Sequence, residues 1–320
     1  MKHLLAVILT IALPLIGHGQ VVENFKAHTQ FLASDEMGGR GVGSVGGRLA
    51  AEYIAKQFKD IGLQPLGDMS YYQEVPIPDQ AEDEVNVVGI ISAVTKTDRS
   101  IVFTAHYDGY GIRFNEGEQD SIYNGARDNA IGVAAMIEIA RLYKSEKAPE
   151  QNIVFVATAA EESGKHGSRF YTEHPVFPLE EIIINLNIDG FNVSGPREDY
   201  YVMPRQGVDF VDEIESIGST LGWIYAPPEN VDRMNNFFDT RLFLVKGVPA
   251  FTLWVGKKLR GGVQALPIEF GRIHTPDDEI NAHWSWDGVE DNIVLYKAIS
   301  DYFLSHPDGI TVTDSSLFQN

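Results

Sequence analysis

The stretch Ile101-Val102-Phe103-Thr104-Ala105-His106-Tyr107-Asp108-Gly109 decides the fold of this chain. Its apolar first half predicts a buried strand, and its second half carries a His-x-Asp pair. Residues i and i+2 of an extended strand lie on one face, so His106 and Asp108 can point into the same space. In open α/β sheets, sites form at the carboxyl ends of strands. The stretch therefore predicts a functional site at the end of a buried α/β strand.

Strand and helix patterns alternate along the rest of the chain. We predict further strands at 71–75, 85–94, 152–160, 181–188, 200–203 and 248–255, and helices at 48–61, 208–218 and 289–305 and shortly after residue 128. This alternation is typical of an α/β fold with a largely parallel sheet. The Gly-rich residues 38–47 predict a flexible loop or a wrap, and residues 307–320 predict a loose tail.

The beginning of the chain has the order of a secretory signal peptide. A charged start is followed by an apolar run from Leu4 to Ile16 and then by small residues before Gln20. The run is about 13 residues long, whereas a membrane span needs roughly 20. An uncleaved anchor is the alternative. We therefore expect residues 1–19 to be a cleaved signal peptide and residues 20–320 to form a single exported domain, periplasmic or secreted, without stable membrane insertion.

Composition excludes several classes of partner. The formal net charge is −20, so nucleic acid and anionic membranes are poor partners. The hydrophobic content of 44% is normal for a globular core. The chain has no cysteine, which excludes disulfides and a lipid-modified cysteine. The sequence does not indicate an oligomeric state.

More acidic and imidazole side chains follow predicted strands or precede a helix: Asp128, Glu161, Glu162, Asp189 and His274. Taken singly, each has an ordinary interpretation, such as a helix cap, a turn residue or an exposed charge. Facing one another, however, their carboxylates would repel, and bound cations would relieve that repulsion. Imidazole and carboxylate ligands suit zinc. A two-metal hydrolase needs a bridging carboxylate, terminal ligands and a base, and these residues supply that set.

In its motifs the chain resembles the M28 family of zinc aminopeptidases. The matching pieces, in family order, are Ala-His106-Tyr-Asp108, Gly-Ala-Arg-Asp128-Asn-Ala, Glu161-Glu162-Ser-Gly-Lys-His-Gly-Ser168, Asn187-Ile-Asp189-Gly and His274-Thr-Pro. The resemblance extends to Phe31-Leu-Ala-Ser-Asp35 and spans most of the mature chain. It implies a three-layer α/β/α zinc-exopeptidase fold, phosphorylase/hydrolase-like, with a largely parallel mixed central sheet. Residues 20–320 would then be a single catalytic zinc-peptidase domain.

The resemblance also implies a ligand set for two Zn²⁺ ions. Asp128 is expected to bridge both ions. His106 and Asp189 are expected to complete one zinc site, and Glu162 and His274 the other.

The implied activity is removal of N-terminal residues from peptides by zinc-activated water. Glu161 is expected to be the general base and acid, and Asp108 is expected to hold His106 through the other ring nitrogen. Arg127 occupies a position where the family often has an acidic or amide residue. It is expected to point outward or to pair with a carboxylate, and binding of a substrate carboxylate stays open as an alternative. The residues that bind the peptide are unknown at this stage.

Other functions on the same fold are possible. A glutaminyl-cyclase-like acyltransferase would typically use a single zinc ion. A carboxypeptidase would use Arg127 to bind the free C-terminus of its substrate. A non-catalytic binding protein would be expected to lose ligands, and none is missing here.

Overall fold

The computed structural model describes residues 18–66, 70–78, 83–114, 120–261, 263–264 and 272–319. The predicted signal peptide lies almost entirely outside these residues. The strands are β1 (Gln64–Pro65), β2 (Tyr72–Val75), β3 (Glu84–Ile91), β4 (Ser100–His106), β5 (Gly111–Ile112), β6 (Ile122–Tyr123), β7 (Asn152–Thr158), β8 (Ile182–Asn187), β9 (Asp199–Met203), β10 (Ile224–Tyr225), β11 (Ala250–Val255), β12 (Lys258–Leu259) and β13 (Val263–Gln264).

The α-helices are α1 (His18–Leu32), α2 (Val45–Ile61), α3 (Ile131–Ser145), α4 (His166–Glu173), α5 (Val211–Thr220), α6 (Val231–Met234), α7 (Thr240–Val245) and α8 (Val289–Ser305). Local sequence explains their ends. The Ser44 hydroxyl accepts the Gly47 N–H at the start of α2, and Gly62, with φ 87°, ends that helix in the left-handed conformation. No helix in the described ranges combines the length and hydropathy of a membrane span.

A nine-stranded mixed sheet forms the middle layer, in the order β1-β3-β7-β4-β8-β11-β9-β10, with β2 paired to β3. The central strands β7, β4, β8 and β11 run parallel. The pairs of β3 with β1, β2 and β7, and of β9 with β11, are antiparallel. The prediction of an α/β fold with a largely parallel mixed sheet is therefore confirmed.

Alternate residues of the central strands enter two separate cores. On β4, Ile101 and Phe103 belong to the larger core, whereas Val102 belongs to the core on the other face. Helices α1, α2, α3, α5 and α8 contribute to the larger core. Helices α4 and α7 cover the opposite face through Tyr171, Phe243 and Leu244. The sheet is thus buried between two helical layers, which explains the continuous apolar character of β4 and β7.

Two segments differ from the prediction. The tail does not hang loose: Ser315–Phe318 forms a 3₁₀ turn, Phe318 is buried in the second core, and Arg241 Nε donates to the Phe318 carbonyl at 2.8 Å. The start of the Gly-rich segment is not a flexible loop: it lies in the turn Asp35–Arg40, where Gly38 and Gly39 have left-handed φ of 51° and 66° and Gly39 is buried. Arg40 is buried there and donates to the carbonyls of Tyr107 and Gly125 at 2.7 and 2.8 Å. These bonds tie the loop after β4 to the segment that precedes Asp128.

Candidate metal centre and active site

The parallel strands bring the predicted site residues to one edge of the sheet. Strand β4 ends at His106 and pairs with β7 on one side and β8 on the other. Glu161 and Glu162 follow β7, and Asp189 follows β8. Because neighbouring parallel strands end at the same edge, these side chains converge there.

One cluster lies on the His106 side of this edge. The imidazole Nε2 of His106 is 3.1 Å from Asp128 Oδ1 and 3.7 Å from Asp189 Oδ1. The ligand-type atoms of these three residues all lie within 4.8 Å of one another. They form what we call the strand cluster, because His106 and Asp189 both come from strand ends.

A second cluster lies on the other side of Asp128. His274 Nε2 is 2.9 Å from Asp128 Oδ2 and 3.5 Å from Glu162 Oε1. We call Asp128, Glu162 and His274 the loop cluster, because His274 comes from the segment between β13 and α8. The two carboxylate oxygens of Asp128 therefore face two different histidines.

Hydrogen bonds between side chains and the backbone hold Asp128 in this position. It lies in the turn Ala126–Ala130, which leads directly into α3 and in which Asp128 itself has non-helical φ and ψ of −125° and 86°. The buried carboxylate of Asp278 accepts the N–H groups of Arg127 and Asp128 at 3.0 and 3.1 Å. On the other side, Asn129 Nδ2 donates to the Ile188 carbonyl at 2.8 Å. The turn is thereby bound both to the loop of His274 and to the end of β8.

Asp108 contacts both the imidazole and the glutamate pair. Its carboxylate accepts the backbone N–H groups of Glu161 and Glu162 at 2.9 and 3.1 Å. Its Oδ1 lies 3.6 Å from His106 Nδ1, which is longer than an ordinary hydrogen bond. The role that the sequence predicted for Asp108 toward His106 stays a prediction. Its bonds to the turn that carries Glu161 and Glu162 were not foreseen.

Burial of so many acidic groups perturbs their proton affinities. Burial raises the pKa of Glu161 to about 8, and Asp239 and Asp189 add to the rise. Burial together with the charge of Asp128 raises the pKa of Glu162 to about 7. The uncompensated negative charge thus favours protonation, as expected for carboxylates gathered without a cation.

The histidines and Asp128 change in the opposite sense, toward their charged forms. Burial alone would lower the pKa of His106, but the carboxylates of Asp108, Asp128 and Asp189 outweigh it and raise that pKa well above its usual range. The pKa of Asp128 falls despite burial, because both imidazoles bond to it.

The donor set fits zinc. Two imidazoles and three carboxylates are ligands that Zn²⁺ accepts. Buried Glu162 Oε1, which faces His274, has no hydrogen-bond partner in the described part of the chain. Without a metal ion, only the imidazoles offset the negative charge of the carboxylates. A divalent cation in each cluster would compensate that charge.

A cavity of about 580 Å³ opens beside the clusters. Its acidic wall is Asp128, Glu161, Glu162 and Asp189, together with His274. Its apolar wall includes Met234, Phe237, Phe238, Leu253 and Trp254, and Arg127 and Lys165 also line it. This volume lies in the range of small-ligand pockets.

Sequence reasoning missed three residues of the site. Lys165 Nζ lies 2.6 Å from Glu161 Oε1. The ring of Tyr110 lies 4.7 Å from that of His274 between centroids. Asp278 binds the turn of Asp128. Lys165 lies within a family motif and Asp278 lies next to one. A charged residue at either position could have been predicted to belong to the site.

Comparison with known proteins identifies the family. The model of peptidase family M28 matches residues 86–297, which include every predicted ligand. The chain belongs to peptidase family M28. Rat aminopeptidase NAALADL1 is 30% identical over 193 residues, which cover 56% of this chain and 24% of that protein. The chain thus spans about a quarter of the length of the relatives it matches.

Solved structures share the fold of this M28 peptidase. The zinc aminopeptidase BSAP from Bacillus subtilis superposes with a TM-score of 0.65 at 16% identity, covering 89% of this chain and 95% of that one. Porphyromonas gingivalis glutaminyl cyclase superposes with a TM-score of 0.62 at 15% identity, covering 90% and 98%. The fold is therefore common to an aminopeptidase and a cyclase, and it does not separate those two reactions.

Proposed function

We propose that this M28 peptidase is an exported aminopeptidase that holds two zinc ions and removes N-terminal residues from peptides. One observation carries the proposal: Asp128 directs Oδ1 to His106 and Oδ2 to His274, at 3.1 and 2.9 Å. A carboxylate whose two oxygens face two separate ligand sets is suited to bridge two ions. His106 and Asp189 would hold one ion with Asp128, and Glu162 and His274 the other.

Zinc ions at these positions would act as Lewis acids that activate water and polarise the scissile carbonyl. Glu161 is suited to move the protons, since its carboxylate lines the same cavity but belongs to neither cluster. It would accept one proton from the attacking water and deliver it to the leaving amine. The water oxygen would end in the carboxylate of the released amino acid, and the C–N bond would break.

Two other features support Glu161 in this role. Its backbone N–H and that of Glu162 both donate to the Asp108 carboxylate, while the Glu161 side chain contacts Lys165 and the Glu162 side chain contacts His274. A base must also have a proton affinity matched to its task, and burial raises the pKa of Glu161 to about 8 before any cation is bound. Cations nearby would lower that value.

A single-zinc cyclase is the main rival. The strand cluster argues against it, because His106 and Asp189 approach Asp128 as closely as a second ion would need. One assay can distinguish aminopeptidase activity from cyclisation and from C-terminal cleavage.

The test is a substrate panel on zinc-reconstituted protein, with zinc measured by elemental analysis. We expect about two zinc ions per chain, hydrolysis of leucine p-nitroanilide, and no hydrolysis of its N-acetylated form. The variant Glu161→Gln should retain zinc and lose activity by about 10²- to 10⁴-fold. One zinc ion with cyclisation of N-terminal glutamine would support a cyclase, and cleavage of blocked peptides at a free C-terminus would support a carboxypeptidase. Either result would overturn the proposal.

Export is a separate part of the proposal and needs its own measurement. The intact mass of the protein recovered from its native cells should correspond to a chain that begins at Gln20. A mass that includes residues 1–19 would contradict signal cleavage.

A further inference from the structure

Lys165 is a cation placed directly against the proposed base. It occupies the turn between β7 and α4, where its N–H donates to the Glu161 carbonyl at 2.9 Å. Its backbone is left-handed, with φ 59° and ψ 38°, a conformation that costs a residue with a side chain roughly 1 kcal/mol or more. The side chain returns over the turn, so that Nζ lies 2.6 Å from Glu161 Oε1. Lys165 also lines the cavity, and its side chain is 22% exposed.

The charge of the cavity makes this cation significant. The carboxylates of Asp128, Glu161, Glu162 and Asp189 would be balanced by two divalent ions. Among the side chains that line the cavity, Lys165 and Arg127 would then carry positive charge beyond that balance. Such a site attracts an anion rather than a neutral peptide chain.

We propose that Lys165 anchors a carboxylate of the residue that leaves, so that the preferred substrates are short peptides with a negative charge just beyond the scissile bond. This inference rests on the proposed aminopeptidase function. Since Glu161 would protonate the leaving amine, a group held against Glu161 lies beside the leaving residue. An ammonium has three N–H donors, so Lys165 can hold Glu161 and a substrate carboxylate together.

Two kinds of substrate offer such a carboxylate. The leaving residue of a dipeptide carries its α-carboxylate one carbon away from the nitrogen that Glu161 would protonate. A leaving Asp or Glu carries one on its side chain. The N-terminal residue would occupy the apolar wall, which includes Phe238 and Trp254.

The test compares matched pairs of substrates on the zinc-loaded protein. The first pair is Leu-Gly and its C-terminal amide, and the second is Leu-Glu amide and Leu-Gln amide. We expect the charged member of at least one pair to have a kcat/KM about 10- to 100-fold higher, chiefly through KM, since a hydrogen bond between charged groups has that effect. The pair that responds identifies the α-carboxylate or the side chain as the source.

Substitution of Lys165 then assigns the preference. In Lys165→Met the ratio within the responding pair should fall close to one, and in Lys165→Arg most of it should return. The ratio is the readout because any effect on Glu161 is common to both members of a pair. Lys56→Met, at an exposed lysine of α2 paired with Asp60, is the matched control and should keep the full ratio.

Zinc content and binding separate this inference from the proposed function. All variants should retain the wild-type zinc content, and the charged member of the responding pair should inhibit hydrolysis of leucine p-nitroanilide more weakly in Lys165→Met. Equal rates for charged and neutral members in the wild type, or an unchanged ratio in Lys165→Met, would overturn the role of Lys165 while the aminopeptidase stands. Failure to hydrolyse any of these unblocked substrates, leucine p-nitroanilide and the four leucyl compounds alike, would overturn the aminopeptidase itself.

Discussion

The two halves of the candidate metal centre take their histidines from different kinds of structure, one from a strand and the other from a loop. The strand cluster is anchored by His106, the last residue of the central strand β4, whose side chain is 2% exposed. The loop cluster is anchored by His274, whose side chain is 47% exposed and whose backbone has φ 61°. Both histidines approach Asp128 to about the same distance, 3.1 and 2.9 Å. Similar ligand geometry is thus reached once by a sheet and once by a loop.

This difference indicates how firmly each half is organised. His106 cannot move without disturbing β7 and β8, which pair with β4 on both sides. His274 lies in a loop that is joined to the turn of Asp128 by the N–H bond that Asp278 accepts, and its ring contacts that of Tyr110. Ligands held by their surroundings bind metal more tightly than ligands that must be ordered on binding. We therefore expect the strand cluster to hold zinc more tightly than the loop cluster.

The largest effect is expected from the residue that the two halves share. Asp128→Asn removes a charge from both clusters, so both zinc ions should bind poorly and kcat/KM should fall by about 10³-fold or more. Zinc content after dialysis and hydrolysis of leucine p-nitroanilide measure this. Asp277→Asn, at an exposed acid next to Asp278, is the control and should behave as wild type. A variant that keeps one tightly bound ion would show that Asp128 is not a bridge.

Replacing each histidine in turn by alanine tests whether the strand cluster binds zinc more tightly than the loop cluster. His274→Ala should retain one tightly held zinc ion, whereas His106→Ala should retain only the weaker one. Titration with a chelator of known affinity should show release midpoints that differ by about 10- to 100-fold, the range in which ligand support changes metal affinity. Equal midpoints, or loss of both ions from each variant, would contradict the distinction between strand and loop clusters.

The sheet and the residues at its strand ends were accessible to sequence reasoning because their signals are local. An apolar run covered on both faces, as in β7, predicts a buried strand wherever it packs, and the helical period of residues 289–305 coincides with α8. The residues His106, Glu161 and Asp189 follow such strands directly. Their convergence needs only the rule that parallel strands end at the same edge.

The contacts between loops were not accessible in this way. Asp278 accepts a hydrogen bond from Asp128, which is 150 positions away in the sequence, and no periodic pattern predicts such a contact. The side chain of Lys165 returns to Glu161 only because its turn is left-handed. The tail looks polar and loose in sequence, yet a single aromatic residue, Phe318, anchors it in the second core.

A smaller effect is expected from the carboxylates that support each half without belonging to a cluster. Asp108→Asn affects the turn of Glu161 and Glu162, and Asp278→Asn affects the turn of Asp128. Each should weaken zinc binding or activity by about 10- to 100-fold, because supporting groups orient the ligands. We expect Asp108→Asn to lower kcat even at saturating zinc, since it displaces the proposed base. Asp278→Asn should recover most of its activity when zinc is raised. The reverse pattern would refute this division of roles.

The smallest expected effect concerns the ring that steadies His274. Tyr110 lies 4.7 Å from the His274 ring between centroids, and the guanidinium carbon of Arg113 lies 3.9 Å from the centroid of the Tyr110 ring. Contacts between aromatic rings contribute about 0.5–1.5 kcal/mol, so Tyr110→Ala should weaken zinc binding in the loop cluster by about 2- to 10-fold. Tyr110→Phe keeps the ring but removes the hydroxyl that hydrogen-bonds to Glu162, so it should weaken zinc binding in the loop cluster less than Tyr110→Ala does. In both variants the strand cluster should keep its chelator midpoint. If that midpoint moved as far as that of the loop cluster, the two halves would be a single coupled unit rather than one firm and one adaptable site.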